Sequence, residues 1–184
     1  MKYKVKHDGI TKTYAWLRHT AHHLLDSAKE NPSGALLNLQ AAAVFCAFTF
    51  EAYLNHVGAE EIPFWEEIDR ISHAKKLRVI ARQLNLRLDF GTPPFQVIRE
   101  LFDLRNSLAH CRTQSIELTY ETDSEPDHMS TWRLHDWEKL TPEKVDHYFS
   151  CVTDAIETLD RSRPQPDDML WNQGNRGRSV EMVE

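Results

Sequence analysis

The stretch ALLNLQAAAVFCAFTFEAYLNHV, residues 35–57, decides the fold. Drawn as a helix it is apolar on nearly every side, and such a helix belongs either at the centre of a bundle or in a membrane. Asn38, Gln40, Thr49 and Glu51 argue against the membrane. The glutamate alone, treated like an aspartate at mid-bilayer, would cost about 2.5–3.5 kcal/mol to insert. The stretch therefore predicts the central helix of a helical bundle. It is capped by Ser33, reaches about Val57 and has Gly58 just past its end.

Working outward, the neighbouring segments supply amphipathic partners for that helix. Trp16, Leu17, Ala21, Leu24, Leu25 and Ala28 recur at spacings of three and four over residues 11–30, and Asn31-Pro32 stops the run. Pro63 opens a short turn carrying Phe64, Trp65 and Ile68. Ser72 caps a helix striped by Leu77, Ile80, Ala81 and Leu84. Another helix runs from Pro93 to about His110 and buries Phe95, Ile98, Leu101, Phe102, Leu104 and Leu108. Thr141-Pro142-Glu143 begins the last, which places Val145, Phe149, Val152, Ile156 and Leu159 on one side. Between these two, Ser115 to Tyr120 and Thr131 to Leu134 alternate with period two and predict a β-hairpin over residues 115–135. Past Arg163 the composition turns to Pro, Gly, Asn and Asp, which reads as a flexible tail over 163–184. The expected fold class is all-α: an up-and-down bundle over 1–162, with a small hairpin inserted before its last helix.

The 184 residues suit one domain, and Cys46, Cys111 and Cys151 are too scattered for a zinc site or a disulfide framework. A reduced, cytoplasmic setting with no membrane partner is expected. The net charge of −6 excludes a general nucleic-acid coat protein, yet the charge is uneven. Residues 70–112 hold nine Lys/Arg against three Asp/Glu, whereas residues 31–69 hold none against six. A basic block of this kind attracts phosphates or forms the solvated faces of two amphipathic helices.

Inside that block lies Arg105-Asn106-Ser107-Leu108-Ala109-His110. Imidazole titrates near neutral pH and can move a proton to or from a hydroxyl. A guanidinium offers a planar fork of donors to a phosphate gaining charge. Asn106 and His110, four apart, share a helix face, and Asn106 can orient the histidine or bind a phosphate oxygen. Arg105 and His110, five apart, stand about 140° from each other around an ideal helix. The set serves phosphoryl transfer without metal or cofactor. A plainer reading makes His110 a residue at the helix C-terminus and Arg105 an ion-pair partner of Asp103 or Glu100.

Arg105-Asn106-x-x-x-His110 resembles the R-x4-6-H motif of the HEPN ribonucleases, in which a polar residue often follows the arginine. Phe50-Glu51-Ala52-Tyr53-Leu54-Asn55 is similar to the F-E-A-x-x-N pattern in the central helix of many HEPN proteins. The resemblance covers about residues 11–112 and the last helix. It implies a helical fold and cleavage of RNA by 2′-hydroxyl attack to a 2′,3′-cyclic phosphate. It also implies His110 as general base or acid, Arg105 as stabiliser of the transition state, and Glu51 and Asn55 in support. Its implied partners are an RNA substrate rather than DNA, a second copy that brings two motifs to one cleft, and an antitoxin or other protein in toxin–antitoxin or phage-defence systems. In one toxin branch a modifiable tyrosine stands two residues after the histidine. Here that position is Arg112, an added cation near the phosphate. The family also contains non-catalytic modules that bind RNA, nucleotides or proteins.

His19, His22 and His23 share helical spacing, and the i, i+4 pair could chelate a metal, but no acidic ligand is evident on that face, so no metal is expected. Cys111 beside His110 is not a nucleophile–base pair, because neighbours on a helix point about 100° apart.

Overall fold

A computed structural model describes residues 2–110, 112–113, 117, 123 and 136–183. The expected hairpin over 115–135 lies outside the described residues, apart from Glu117 and Asp123. The chain runs β1 (Lys2–Gly9), α1 (Thr13–Glu30), α2 (Ala35–Glu61), α3 (Trp65–Ile68), α4 (His73–Gln83) and α5 (Phe95–His110). A 3-10 turn (Asp136–Lys139), α6 (Pro142–Arg161) and β2 (Arg176–Val183) complete it. The fold is mainly α, with one two-stranded antiparallel sheet formed by β1 and β2.

α2 is long and apolar enough to cross a membrane by length and composition. Here it packs against α1, α4, α5 and α6, as the all-round apolar pattern predicts for a central helix. Ala42, Ala43 and Ala47 on α2 and Ala21 and Ala28 on α1 are buried small residues, and such residues let helix axes approach closely. Phe50, Tyr53, Leu54 and Val57 fill the middle of the core. Each large apolar side chain buried there contributes about 1.5–3 kcal/mol. Cys46 and Cys151 are free and buried, and burial pushes the Cys46 thiol up to about 12.

The boundaries of α2 differ from expectation at both ends. Asn31 Oδ1 accepts from the Ser33 backbone N–H at 3.1 Å, and Gly34, with φ of 79°, occupies the cap position instead of Ser33. Gly58 does not end the helix; α2 continues to Glu61. Gly58 is buried because the Trp65 ring of α3 lies against its Cα, where a Cβ would overlap the indole. Gly58→Ala should therefore destabilise the protein by about 1–2 kcal/mol in thermal melts, an overpacking cost that exceeds alanine's helix preference. At the other end of the chain Thr141 caps α6 as its sequence predicts: its hydroxyl accepts from Lys144 N at 3.3 Å, and Pro142 takes the first helical position.

The last segment, expected as a flexible tail, is packed in the structure. The Arg163 side chain is enclosed by acidic side chains, and Trp171 lies against α1 and α6, with Arg18 stacked 4.4 Å from its ring centroid. Residues 176–183 then pair with residues 2–9 in antiparallel register, from Lys2 opposite Val183 to Gly9 opposite Arg176. Ile10 N donates to Asn175 O at 3.0 Å and Lys12 N to Gln173 O at 3.2 Å, fixing the base of this ribbon to the start of α1.

Candidate functional site

Glu51 and Asn55 sit one turn apart on α2 and face the junction of α4 and α5. Arg105 of α5 donates through Nη2 to Glu51 Oε2 at 3.0 Å. Lys76 of α4 is buried; its Nζ donates to Asn55 Oδ1 at 2.7 Å and stands 3.7 Å from Glu51 Oε1. The two cations thus flank one carboxylate, which leaves the cluster one positive charge in excess. Below them Phe102 is fully buried and edge-on to Phe50, with ring centroids 6.4 Å apart. His73 stacks on the Phe102 ring at 3.5 Å, and the Arg105 guanidinium lies 5.2 Å from the same ring centroid. Arg105 Nε is buried and has no hydrogen-bond partner among the described residues.

Three residues of the sequence motifs, Glu51, Asn55 and Arg105, are therefore gathered into one cluster. The ion-pair partner of Arg105 is Glu51, on another helix, rather than Asp103 or Glu100; Glu100 pairs with Lys144 at 3.3 Å. Asn106, half-buried, and His110, exposed at the last residue of α5, make no hydrogen bond or ion pair among the described residues. Arg112 is exposed two residues beyond. Because α5 is continuous through His110, the ideal spacing of about 140° between Arg105 and His110 is maintained.

Lys76 and His73 were not singled out from sequence, although a signal was present. Both continue the Leu77–Ile80–Ala81–Leu84 stripe backward by one turn, so a lysine and a histidine stand on the buried face of α4. A buried lysine needs a partner, and the two polar residues of α2 provide it.

Burial lowers the pKa of His73 from its ordinary 6.5, and the nearby Arg105 and Lys76 charges act in the same direction against Glu51 and Asp103. His56, on another face of α2, is lowered too, by burial first and by Arg163 and Lys12, against Glu60 and Asp167. The fold disfavours the charged form of both rings, so the unfolded chain takes up protons first as pH falls below about 6.5. This contribution to stability is whole above that pH and is lost on acidification towards the folded values. The melting temperature should fall from pH 7 to pH 5, and His73→Phe should reduce that slope.

A second polar cluster lies on the opposite face of α2, from Tyr53 to its C-terminal end. Asp160 is buried and accepts from Tyr53 OH at 3.2 Å, Arg163 Nη1 at 3.1 Å and Asp167 N at 3.0 Å. Arg163 also donates to Glu61 at 3.0 Å and pairs with Glu60, while Lys12 pairs with Asp167. Burial works against the Arg163 charge, but its bonds to Glu61 and Asp160 outweigh that and raise its pKa. A cleft of about 780 Å³ opens beside these groups, lined in part by Lys12, His56, Glu60 and Asp168. Lys12 pairs across it with Asp167, and Arg163 with Glu60 and Glu61, and these pairs tie residues 163–167 to α2 and to the residue before α1.

His22 pairs with Asp26 at 2.9 Å and packs on Phe149, so an acidic partner does share that helix face. Among the described residues no three potential ligands gather at a metal site. Compared with known proteins, the chain matches no protein-family model, no curated protein and no solved structure.

Proposed function

We propose that the chain is a metal-independent endoribonuclease of the HEPN type, acting in the cytoplasm as a homodimer. The observation that supports this reading is the meeting of Glu51 and Asn55 of α2 with Arg105 of α5, held by a buried lysine. Glu51 fixes one edge of the Arg105 guanidinium, and the unpartnered Nε marks a donor that a bound anion or water would satisfy. In the reaction His110 takes the proton from the RNA 2′-hydroxyl, whose oxygen attacks phosphorus. The bond to the 5′-oxygen breaks, that oxygen takes up a proton, and the products are a 2′,3′-cyclic phosphate and a 5′-hydroxyl. Arg105 binds the phosphoryl oxygens as they gain charge, Asn106 orients the imidazole, and Arg112 adds a cation. Since Arg105 and His110 of one chain diverge around α5, the working pair is completed by a second copy. An antitoxin or other protein partner, in toxin–antitoxin or phage-defence systems, would restrain the activity.

The test is incubation of the purified protein with a structured RNA in EDTA, with end-group analysis of the fragments. Cleavage to cyclic phosphate ends that is lost in His110→Ala is the expected result; equal cleavage by both proteins overturns the proposal. A non-catalytic RNA-, nucleotide- or protein-binding module is the second reading. It is favoured by the engagement of Arg105 with Glu51 within one chain, and it predicts binding without cleavage.

A further inference from the structure

The β1–β2 ribbon makes its extensive contacts between its own two strands, and its base is tied to α1 through Ile10 and Lys12. An isolated two-stranded ribbon is at best marginally stable. Its composition departs from the rest of the chain: the two strands hold five Lys/Arg against two Asp/Glu in a protein of net charge −6. Strand alternation and the observed register sort the side chains. Tyr3, Val5 and His7 share one face with Met182, Val180 and Arg178, while Lys4 and Lys6 share the other with Glu181 and Ser179. The apolar members are open to solvent: Tyr3 59%, Val5 41%, Val180 51% and Met182 66% exposed.

We propose that this ribbon is an arm that holds single-stranded RNA for the site on the bundle. The choice of RNA rests on the endoribonuclease reading above; the choice of a nucleotide strand rests on the ribbon. Tyr3 with Val5, Val180 and Met182 forms a platform on which bases stack or rest, and base–aromatic stacking tolerates any sequence. His7 and Arg178 continue that face towards the bundle and meet phosphates. Lys4 and Lys6 stand two strand residues apart, about 7 Å, a step of the same order as successive phosphates on an extended strand. Their stems can carry the ammonium groups round the β1 edge, which pairs with no third strand among the described residues.

A second copy fits this surface less well. One face of an eight-residue, two-stranded ribbon offers roughly 270 Å² per partner, a third of what a standard interface buries. Two such ribbons would also bring like charges together.

The experiment measures anisotropy of a labelled, uncleavable 2′-O-methyl oligouridylate of about a dozen nucleotides against salt, with the full chain and with Lys4→Gln/Lys6→Gln/Arg178→Gln. The substitutions lie on exposed positions, and a Lys4→Arg/Lys6→Arg variant controls for folding. Loss of three phosphate contacts should weaken binding at least tenfold and reduce the slope of log K on log salt by about 2. The arginine variant should bind like wild type. No binding by wild type, or an unchanged slope in the triple-glutamine variant, overturns the proposal. So does capture by phosphatidylserine vesicles with no oligonucleotide binding, or a loss of dimer as the sole effect of the glutamines. Wild type that binds through the ribbon yet cleaves no RNA would refute the endoribonuclease reading and leave the arm standing. Cleavage unaffected by the glutamines would do the reverse.

Discussion

Arg105→Ala should reduce RNA cleavage by a hundredfold or more, and Arg105→Lys should restore little of it. On the endoribonuclease reading the guanidinium has two tasks that a point charge cannot share. Its Nη2 is held by Glu51 at 3.0 Å, and on the proposed mechanism the donors that Glu51 does not engage would bind the phosphate. Removing one preorganised electrostatic contact to a transition state costs catalysis about 3 kcal/mol. A lysine would satisfy Glu51 and have no planar fork left for the phosphate. Single-turnover cleavage rates for wild type and the two variants check this, with melting temperatures to separate lost chemistry from lost fold. A rate within threefold of wild type for Arg105→Lys would show that charge alone is needed. Glu51→Gln keeps the shape of the anchor but removes its charge. It should lower the rate less than Arg105→Ala does.

Asp160→Ala should be among the most destabilising single substitutions, at about 3–5 kcal/mol, or about 10 °C in melting temperature for a chain of this size. The carboxylate is buried and accepts from Tyr53 OH, Arg163 Nη1 and Asp167 N. Without it a buried hydroxyl and a backbone N–H lose their partners, and Arg163 retains only Glu60 and Glu61. Asp160→Asn keeps an acceptor and should cost less. A calorimetric loss under 1 kcal/mol for the alanine variant would mean that residues 163–169 are held by something else.

Much of the bundle was legible in the sequence because helix-making signals are local. The periodic stripes of α1, α4, α5 and α6 and the all-round apolar α2 each lie within about 27 residues. The Thr141-Pro142 start of α6 was legible for the same reason. Gly58 reads as a helix stop because a glycine near the end of an apolar run commonly ends a helix; here its role is set by Trp65, seven residues on, which needs the missing side chain. The ribbon is not legible from the alternation of Lys2 to Val5 alone, since the pattern acquires meaning only with a partner at residues 180–183. The tail over 163–184 reads as flexible by composition, yet the ion pairs of Arg163 and the stacked Trp171 attach it to α1, α2 and α6. At the candidate site, Glu51, Asn55 and Arg105 stood out as polar or charged residues in marked motifs. Lys76 did not, because a lysine within an apolar stripe resembles a register error until its partners on another helix are known.

The ribbon also orders events in time. Most of the bundle can assemble from helices near one another in sequence, whereas β1 and β2 meet only after some 170 intervening residues have closed into a loop. Loop closure grows costlier with length only slowly, but it must be met before the ladder returns any stabilisation. The strands should therefore join last on folding and separate first on heating, while the helices stay packed. In native-state hydrogen exchange, the amides of Tyr3 to His7 and Arg178 to Met182 should exchange through a local opening, at a free energy well below that of Phe50 or Leu54. The arm can thus be released from its own partner strand and closed again without cost to the core it extends from.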